Sequence, residues 1–445
     1  MSPDFTEYEE IKARHTDNDD STWADLPAAA PWPKLDDAAY HGLPGKIVKT
    51  IEPHSESDPV AILVQFLVMA GNAIGRVPHF LVESDRHGLN LFAVLVGETA
   101  DGRKGVSGGR VSHVMGGADS DWANQRILKG MASGEGLIWA VRDPLKEPMK
   151  SGKGPSAKFV DTVTDPGVKD KRLLVFEHEF CRALAVMKRP GNTLSAVVRD
   201  AWDGNNLGTL TKNSPTRATG AHISIIGHIT PDELRAELDQ TSMVNGFANR
   251  FLFVAVKRSK LLPFGGDLAE DDVRELSYRT HKVLESIRTC SAYRRIGFAE
   301  PTRPIWEHQY ESLSAARPGL VGSVTARGPA QTVRLATLYA LLDERNAIDP
   351  AHLTAAIAVW NYCEATARYV FGDALGDYVA DEILQALRRC PDGMTRTEIS
   401  NLFGRNVAGG KITEALRLLL KHGKVRPARA KSNGQGRPTE VWHPT

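Results

Sequence analysis

The loop after the first strongly apolar segment has the residue types that hold a phosphate. Six apolar residues, 91–96, run directly into a segment that contains Gly97, Gly102 and Lys104. Glycines let successive N–H groups turn inward, a lysine reaches the terminal phosphates, and a following helix adds its positive end. The pattern favours a nucleotide-binding loop between a buried strand and a helix. A glycine-rich surface turn is the alternative.

The match to a phosphate-binding loop has departures after its second glycine. The two glycines have the spacing of that loop's first and last glycines, but Arg103 stands where the lysine belongs. Lys104 stands where a hydroxyl for Mg²⁺ belongs, and the nearest hydroxyl after it is that of Ser107. We expect both glycines and residues 103–105, Arg-Lys-Gly, to contact phosphates. Ser107 is the candidate metal ligand.

Two acidic residues close the apolar segment 172–180, RLLVFEHEF. In a nucleotide-hydrolysing sheet, one acid at such a strand end supports Mg²⁺ and another orients or deprotonates the attacking water. We assign these roles to Glu177 and Glu179, in that order. The usual order is Asp-Glu, whereas His178 separates the two acids here. Two acids after an apolar strand are also common at any sheet edge.

A further buried strand, within 221–230 (AHISIIGHIT), ends in His228 and Thr230. In nucleotide-hydrolysing sheets a polar residue at this point contacts the γ-phosphate or the water, which makes His228 a catalytic candidate. The alternative is a histidine hydrogen-bonded at a helix N-terminus, because residues 231–233, Pro-Asp-Glu, are typical of a first helical turn.

An arginine precedes the predicted strand 251–256. Arg250 follows the glycine-containing turn of NGFANR, which would fix it at the entrance of that strand. A permanently charged, weakly hydrated guanidinium in such a position is what an arginine finger needs, and a finger normally serves a neighbouring subunit. This interpretation predicts a ring or filament. A structural salt bridge is the alternative.

Composition narrows the class of protein. A chain of 445 residues exceeds what one core usually holds, and its 55 Lys and Arg balance 54 Asp and Glu, which excludes a globally basic nucleic-acid coat. Four cysteines without a CxxC pair and an acidic N-terminus favour a reduced cytoplasmic protein. The longest apolar run, 60–74, is too short and too polar for a membrane span.

Short apolar runs alternate with amphipathic segments between residues 92 and 256, which predicts a parallel sheet flanked by helices. The expected fold is an α/β P-loop core with an all-helical lid domain and a C-terminal winged-helix domain. The expected parts are a flexible acidic leader (1–35), an N-terminal helical region (36–90), the core (91–262), the lid (263–376) and the winged helix (377–445). The polar segment 146–171 is expected to be a surface loop.

These signals follow one another in the order phosphate loop, acidic strand, polar-ended strand, arginine and helical segment. This order resembles that of the AAA+ ATPases. In that group the helical lid supplies a second, nucleotide-sensing arginine. The resemblance implies this role for Arg327 or Arg334 in VTARGPAQTVRLATLYALLDE. An arginine on a helix is more often simply solvated.

The chain resembles more closely a bacterial family of unknown function found on phages, plasmids and actinobacterial chromosomes, often beside or fused to primase-polymerase domains. The resemblance covers most of the chain from about Tyr40 and is carried by IEPHSESDPVAILVQFLVMAGNAIGR, LFAVLVGETADGRKGVS, RLLVFEHEF, HISIIGHITPDEL and NGFANRFLFV. In that family the loop typically reads Arg-Lys-Gly-Thr-Ser, so the Arg-Lys pair is a family variant. This chain departs at Val106, which leaves Ser107 or Thr99 as the hydroxyl for Mg²⁺.

The C-terminal pattern of helices followed by strand, turn and strand resembles a winged helix. Residues 378–445 contain 12 Lys and Arg against 6 Asp and Glu, so positive charge is concentrated here. The resemblance predicts that the longest of these helices enters a DNA major groove through Lys411 and Arg417. Lys431 and Arg437, on the wing, would then reach phosphates. Many winged helices serve protein contacts instead.

These signals and resemblances imply a Mg²⁺- and ATP-dependent ATPase that acts on DNA, as a helicase or helicase loader in the replication of a mobile element. The resemblance also implies a homo-oligomer, for example a hexameric ring, and a primase-polymerase partner. The rival hypothesis is a nucleotide-sensing DNA-binding regulator or phage-defence protein with little ATP turnover, which the altered hydroxyl position favours. A scaffold that has lost nucleotide binding is the third.

Overall fold

The computed structural model describes residues 31–98, 102–151, 158–209, 216–238, 245–317, 319–372, 375, 377–429 and 440–445. Thr99, Lys431, Arg437 and most of the predicted leader lie outside the described residues. Trp32–Gly376 forms one compact unit, and Asp377–Thr445 belongs to a second. None of the helices formed by the described residues combines the length and the apolar character that a membrane span requires.

The helices of the described residues are α1 (Gly42–Ile51), α2 (Pro59–Ile74), α3 (Lys104–Ala118), α4 (Ser120–Gln125), α5 (Gly134–Trp139), α6 (Phe180–Met187), α7 (Leu194–Asp203), α8 (Pro231–Glu237), α9 (Glu270–Thr289), α10 (Arg303–Ser314), α11 (Gly319–Thr325), α12 (Gly328–Leu342), α13 (Pro350–Phe371), α14 (Tyr378–Arg388), α15 (Arg396–Leu402) and α16 (Gly409–Lys421). The strands are β1 (His79–Val82), β2 (Asp85–Gly88), β3 (Phe92–Val96), β4 (Ile127–Leu128), β5 (Leu145–Ser151), β6 (Lys158–Asp165), β7 (Arg172–Glu177), β8 (Leu207–Gly208), β9 (Arg217–Ala218), β10 (His222–Ile229), β11 (Phe251–Ala255), β12 (Arg295–Phe298), β13 (Ala347–Ile348), β14 (Met394–Thr395), β15 (Val425–Arg429) and β16 (Glu440–Pro444).

The central sheet has five parallel strands in the order β11-β3-β10-β7-β4. Strands β3 and β10 are buried throughout, as their unbroken apolar runs require. Along β3, Ala93 and Leu95 join the hydrophobic cluster of α2 and α3, whereas Phe92 and Val94 join that of α6 and α7 on the opposite face. Helices therefore cover both faces of the sheet, and the α/β part of the predicted fold class is confirmed.

Helix α2 lies in the cluster on the α3 face of the sheet. It begins at Pro59, and the carboxylate of Asp58 caps it by accepting a hydrogen bond from the Val60 amide at 3.0 Å. Because the helix is apolar on nearly every side, it is buried almost completely. Its two amide side chains, Gln65 and Asn72, are also fully buried, and both are hydrogen-bonded. Helix α2 therefore packs against this face of the central sheet.

Two predictions about secondary structure are wrong. The segments expected to be helical also contain β1, β2, β12 and β13, which form a four-stranded sheet in the order β13-β12-β1-β2. These strands are so short that the helical periodicity around them concealed them. The expected surface loop contains the hairpin β5–β6, because the β-branched residues of KFVDTVTD outweigh the surrounding glycines and charges.

The three segments expected as helical region, core and lid share a hydrophobic core. Phe66 of α2, Val111 of α3, Leu276 of α9 and Leu338 of α12 belong to one cluster of buried side chains. The sheet that pairs β1 with β12 also joins the first segment to the last. The proposed boundaries near residues 90 and 262 therefore fall within one compact unit.

The C-terminal unit contains α14, α15 and α16 and an antiparallel sheet in the order β14-β16-β15. Thr395 and Glu398 form a capping box that begins α15. Leu387, Leu416 and Trp442 are buried among its apolar side chains. The helices and the strand pair that the sequence predicts are present.

Candidate functional site

The carboxyl ends of β3 and β10 frame the candidate site. These strands are neighbours, but the chain leaves β3 toward β4 at one edge of the sheet and leaves β10 toward β11 on the other side of β3. In open α/β sheets, ligands bind in the crevice outside the carboxyl ends of such a pair. Here the crevice is a cleft of about 670 Å³. Its lining residues are Arg103, Lys104, Gly105, Val106, His178, Glu179, Cys181, His228, Ile229, Thr230 and Glu233.

Lys104 holds its ammonium group at the carboxyl ends of both strands. Nζ donates to the carbonyl oxygens of Gly97, which follows β3, and of Ile229, at 3.2 Å. The carbonyl of Glu98 is a third acceptor at 3.4 Å. Burial lowers the pKa of Lys104, while the carboxylates of Glu233 and Glu98 oppose this shift. The hydrogen-bond partners of the cation are thus backbone carbonyls, which phosphate oxygens can replace.

The loop before α3 has the backbone that such a site needs. A Cβ at Gly97 would lie 2.3 Å from the carbonyl oxygen of Val256, so only glycine fits there. Arg103 has φ of 42°, in the left-handed region, and its Nε contacts Glu56 at 2.8 Å. Among the described residues, a Cβ at Gly105 would meet nothing within 4 Å, and none caps the start of α3 with its side chain. The amides of Val106 and Ser107 bond to the carbonyl of Arg103, and those of Lys104 and Gly105 lie at the end of the helix that attracts an anion.

Ser107 does not face the cleft, which corrects its expected role as a metal ligand. Its side chain is fully buried, and its hydroxyl donates to the carbonyl of Lys104 at 2.8 Å. The same hydroxyl accepts from Nε2 of Gln65, on α2, at 2.6 Å. A hydroxyl three residues after the lysine lies about 4.5 Å further along the helix axis than the lysine itself. The hydroxyl of Ser107 therefore contacts helix α2 and not the ligand.

Glu177 also turns away from the cleft, which corrects the assignment of this acid to Mg²⁺. Phe176 belongs to the cluster on the α3 face, so Glu177, one residue further along β7, points to the opposite face. There Oε2 accepts hydrogen bonds from the amides of Gly130 and Met131, each at 3.0 Å. Alternation brings the next residue, His178, back to the cleft.

Two histidines face one another in the cleft. The rings of His178 and His228 have centroids 5.4 Å apart. Burial lowers the pKa of both, that of His228 to about 3, where His178 and Lys104 add to the effect. Nε2 of His228 lies 3.4 Å from Oε1 of Gln65 and donates a hydrogen bond to it. Both rings are neutral at pH 7, so the cleft offers them as hydrogen-bonding groups and not as cations.

The two glutamates of the cleft differ in how firmly hydrogen bonds hold their side chains. The side chain of Glu179 is 65% exposed and has only a weak contact of 3.5 Å with Arg182. Glu233 instead forms a capping box, in which Oε2 accepts from the amide and hydroxyl of Thr230 at 3.0 and 2.9 Å. These bonds lower the pKa of Glu233. Glu179 is therefore the acid that can approach a bound ligand or water.

The three arginines expected at the nucleotide lie at the opposite edge of the sheet. Arg250 directly precedes β11, is 6% exposed and donates to Asp203 at 2.6 Å. Arg327 reaches the same carboxylate at 3.5 Å. Arg334 is 1% exposed, and its Cζ lies 3.7 Å from the ring centroid of Trp202. The structure does not bring these arginines to the cleft, and the burial of Arg250 corrects its interpretation as a finger.

In the C-terminal unit, Lys411 and Arg417 of α16 are both exposed, whereas Ile412, Leu416 and Leu419 are buried. The two cations therefore lie on the solvent side of an amphipathic helix. The wing candidates lie outside the described residues.

A comparison with protein-family models gave no matching family, and a comparison with curated proteins gave no match. The functional interpretation of the cleft accordingly rests on its own geometry.

The sequence interpretation missed several side chains that build the cleft. Strict alternation beyond Phe176 would have identified His178 as the cleft residue. The pattern TPDE is that of a capping box and would have predicted the position of Glu233. Gln65 and Cys181 carry no signal of their own, because tertiary packing alone brings them here.

Proposed function

We propose that this protein binds ATP in the cleft and is a nucleotide-responsive DNA-binding protein with slow turnover. The observation that carries the proposal is the ammonium of Lys104, bound to carbonyls between β3 and β10 at the start of a 15-residue helix. A cation, the positive end of a helix and a crossover crevice together are a suitable environment for a triphosphate.

Slow turnover follows from the groups available to a metal ion. Mg²⁺, when bound, neutralises charge on the phosphates and prefers hard oxygen ligands. Among the described residues that line the cleft, the side-chain oxygens belong to Glu179, Thr230 and Glu233, and the last two already bond to one another. These described residues fit Mg²⁺ poorly, which supports the regulator over an efficient hydrolase.

A DNA motor is the second candidate, and Glu179 favours it. Strand β10 lies between β3 and β7, so the acidic strand end is one strand removed from the loop, with room for a nucleotide and a water between them. Glu179 lines this space, and its mostly exposed carboxylate is free to approach a water there.

Association with DNA is proposed from the C-terminal unit. Its excess of Lys and Arg and the solvent-facing Lys411 and Arg417 give α16 a basic outer surface. The helicase or loader role, the oligomer and the primase-polymerase partner stay predictions from the resemblance.

The test is ATP binding and turnover by the full chain with and without single-stranded and duplex DNA. We expect saturable ATP binding, about 100-fold weaker in Lys104→Ala because a charge-assisted contact is lost. Lys282→Ala, an exposed lysine of α9, is the control and should bind as wild type does. Turnover should stay below about 1 per second with either DNA. A tenfold or greater DNA stimulation would establish the motor instead, and absence of ATP binding would refute both.

A further inference from the structure

A second polar pocket lies at the amino edge of the central sheet, opposite the cleft. It encloses about 510 Å³, which is within the range of small-molecule sites. Asn90, before β3, and Ala221, before β10, contribute to its wall. The lengths of these two strands therefore separate it from Lys104.

Positive charge dominates this amino-edge pocket. Its charged lining residues are Arg76, Arg86, Arg327, Arg334, Asp85 and Asp203. Four guanidinium groups thus face two carboxylates, in a chain whose overall charge is nearly zero. Burial and the neighbouring charge of Arg334 lower the pKa of His87 to about 4, so this histidine adds no charge at neutral pH.

Two of the four arginines, Arg76 and Arg86, are held by groups other than carboxylates. Arg76 donates to the carbonyl oxygens of Ala221 and Gly204, at 3.1 and 2.9 Å. Nε of Arg86 donates to His79 at 3.3 Å. In the part of the chain that the structure describes, neither guanidinium has a carboxylate partner. The fork of Arg86, on the exposed hairpin β1–β2, is therefore available to an external anion.

Buried donors without acceptors lie beside these arginines. Nε1 of Trp202 and Nε of Arg334 have no hydrogen-bond partner among the described residues, and each side chain is 1% exposed. Nδ1 of His87 is also unpaired within this part of the chain. Native proteins rarely leave such groups unsatisfied. The wall of the pocket is therefore short of acceptor oxygens.

We propose that the amino-edge pocket binds a small phosphate monoester. A phosphate monoester carries a charge of about −1.5 to −2 at pH 7, which matches the excess of two positive charges. Guanidinium forks pair with its oxygens in a bidentate manner. The volume exceeds that of a phosphate group, and Asn205 and Ser84, which are both exposed, offer hydrogen bonds to a sugar-like remainder. This site is independent of the ATP cleft.

The test is calorimetric titration of the full chain with ribose 5-phosphate and with inorganic phosphate at low ionic strength. Lys104→Ala is included so that binding in the cleft is recognised. We expect saturable binding in wild type and in Lys104→Ala, weakened about tenfold in Arg86→Gln. Ser84→Asp adds a negative charge at the exposed rim and should weaken binding as well. Arg303→Gln, at an exposed arginine of α10, is the matched control and should bind as wild type does.

Unfolding midpoints of the variants show that each is folded before it is titrated. Tighter binding of the ester than of inorganic phosphate would support recognition of the remainder, and equal binding would limit recognition to the phosphate; both support the site. Absence of saturable binding, loss of binding in Lys104→Ala, or equal effects of Arg86→Gln and Arg303→Gln would overturn the proposal. ATP binding by Arg86→Gln, which should be unchanged, separates this outcome from a failure of the ATP cleft.

Discussion

The cations that the sequence assigned to a nucleotide are held in different ways at the two edges of the central sheet. At the carboxyl edge, Lys104 is bound by backbone carbonyls that a ligand can replace. At the amino edge, Arg250 and Arg327 share Asp203, and Arg334 is buried on Trp202. A cation whose partners are neutral and replaceable can bind an anion, whereas a buried and stacked arginine mainly stabilises the fold. The difference separates residues that the sequence order had grouped as one nucleotide site.

The largest expected effect is at the amino edge, in Arg334→Met. This substitution removes the hydrogen bonds from the guanidinium to Oδ1 of Asn90 and to the carbonyl of Trp202, at 3.0 and 2.9 Å in the wild type. We expect the free energy of unfolding in urea to fall by about 3 kcal/mol. The exposed Arg303→Met should change it by less than about 0.5 kcal/mol. Equal effects of the two substitutions would show that Arg334 is not a structural residue.

Strand β10 carries a histidine at each edge, and both are expected to make the fold sensitive to acid. Burial lowers the pKa of His222 to about 4 and that of His228 to about 3. The unfolded chain, with histidine pKa values near 6.5, binds more protons, so stability is lost as the pH falls below about 6.5. At pH 5 each histidine should cost roughly 2 kcal/mol relative to pH 8.

Urea unfolding at pH 8 and pH 5 measures this loss for wild type, His222→Gln and His228→Gln. Each variant should lose roughly 2 kcal/mol less than the wild type between the two pH values. An unchanged pH dependence in either variant would mean that its histidine does not titrate differently on unfolding.

A smaller effect distinguishes the two acids at the end of β7. Glu177→Gln weakens the bonds to the amides of Gly130 and Met131, so stability should fall by about 1 kcal/mol while ATP affinity is retained. Glu179→Gln should leave stability within about 0.5 kcal/mol, because its side chain is exposed, but reduce whatever ATP turnover exists. Urea unfolding and single-turnover hydrolysis check both. The reverse pattern would restore Glu177 as the active-site acid.

Much of the fold could be predicted from the sequence because its signals are local. Unbroken apolar runs indicated β3, β7, β10 and β11, and their alternation with amphipathic segments indicated a parallel sheet with helices on both faces. The strands of two to four residues could not be predicted, since a period cannot be recognised over so few positions.

The candidate site was predictable in part for a related reason. The loop glycines and Lys104 follow a strand in sequence, so chain order alone brings them to the carboxyl edge. The roles of Ser107 and Glu177 depend on the direction in which each side chain points. A shift of one residue along a strand, or of one turn along a helix, changes what the side chain contacts. Arg250 and Arg334 depend on distant partners, Asp203 and Trp202, that no local pattern reveals.

Hydrogen exchange of the full chain with and without ATP tests most directly that the carboxyl edge is the nucleotide site. We expect ATP to slow exchange in peptides that cover residues 102–108 and 228–233, and this protection to disappear in Lys104→Ala. Peptides that cover 79–90 and 327–334, at the amino edge, should exchange at unchanged rates. ATP-dependent protection confined to the amino edge, or protection at the carboxyl edge that survives Lys104→Ala, would contradict this account of the cleft.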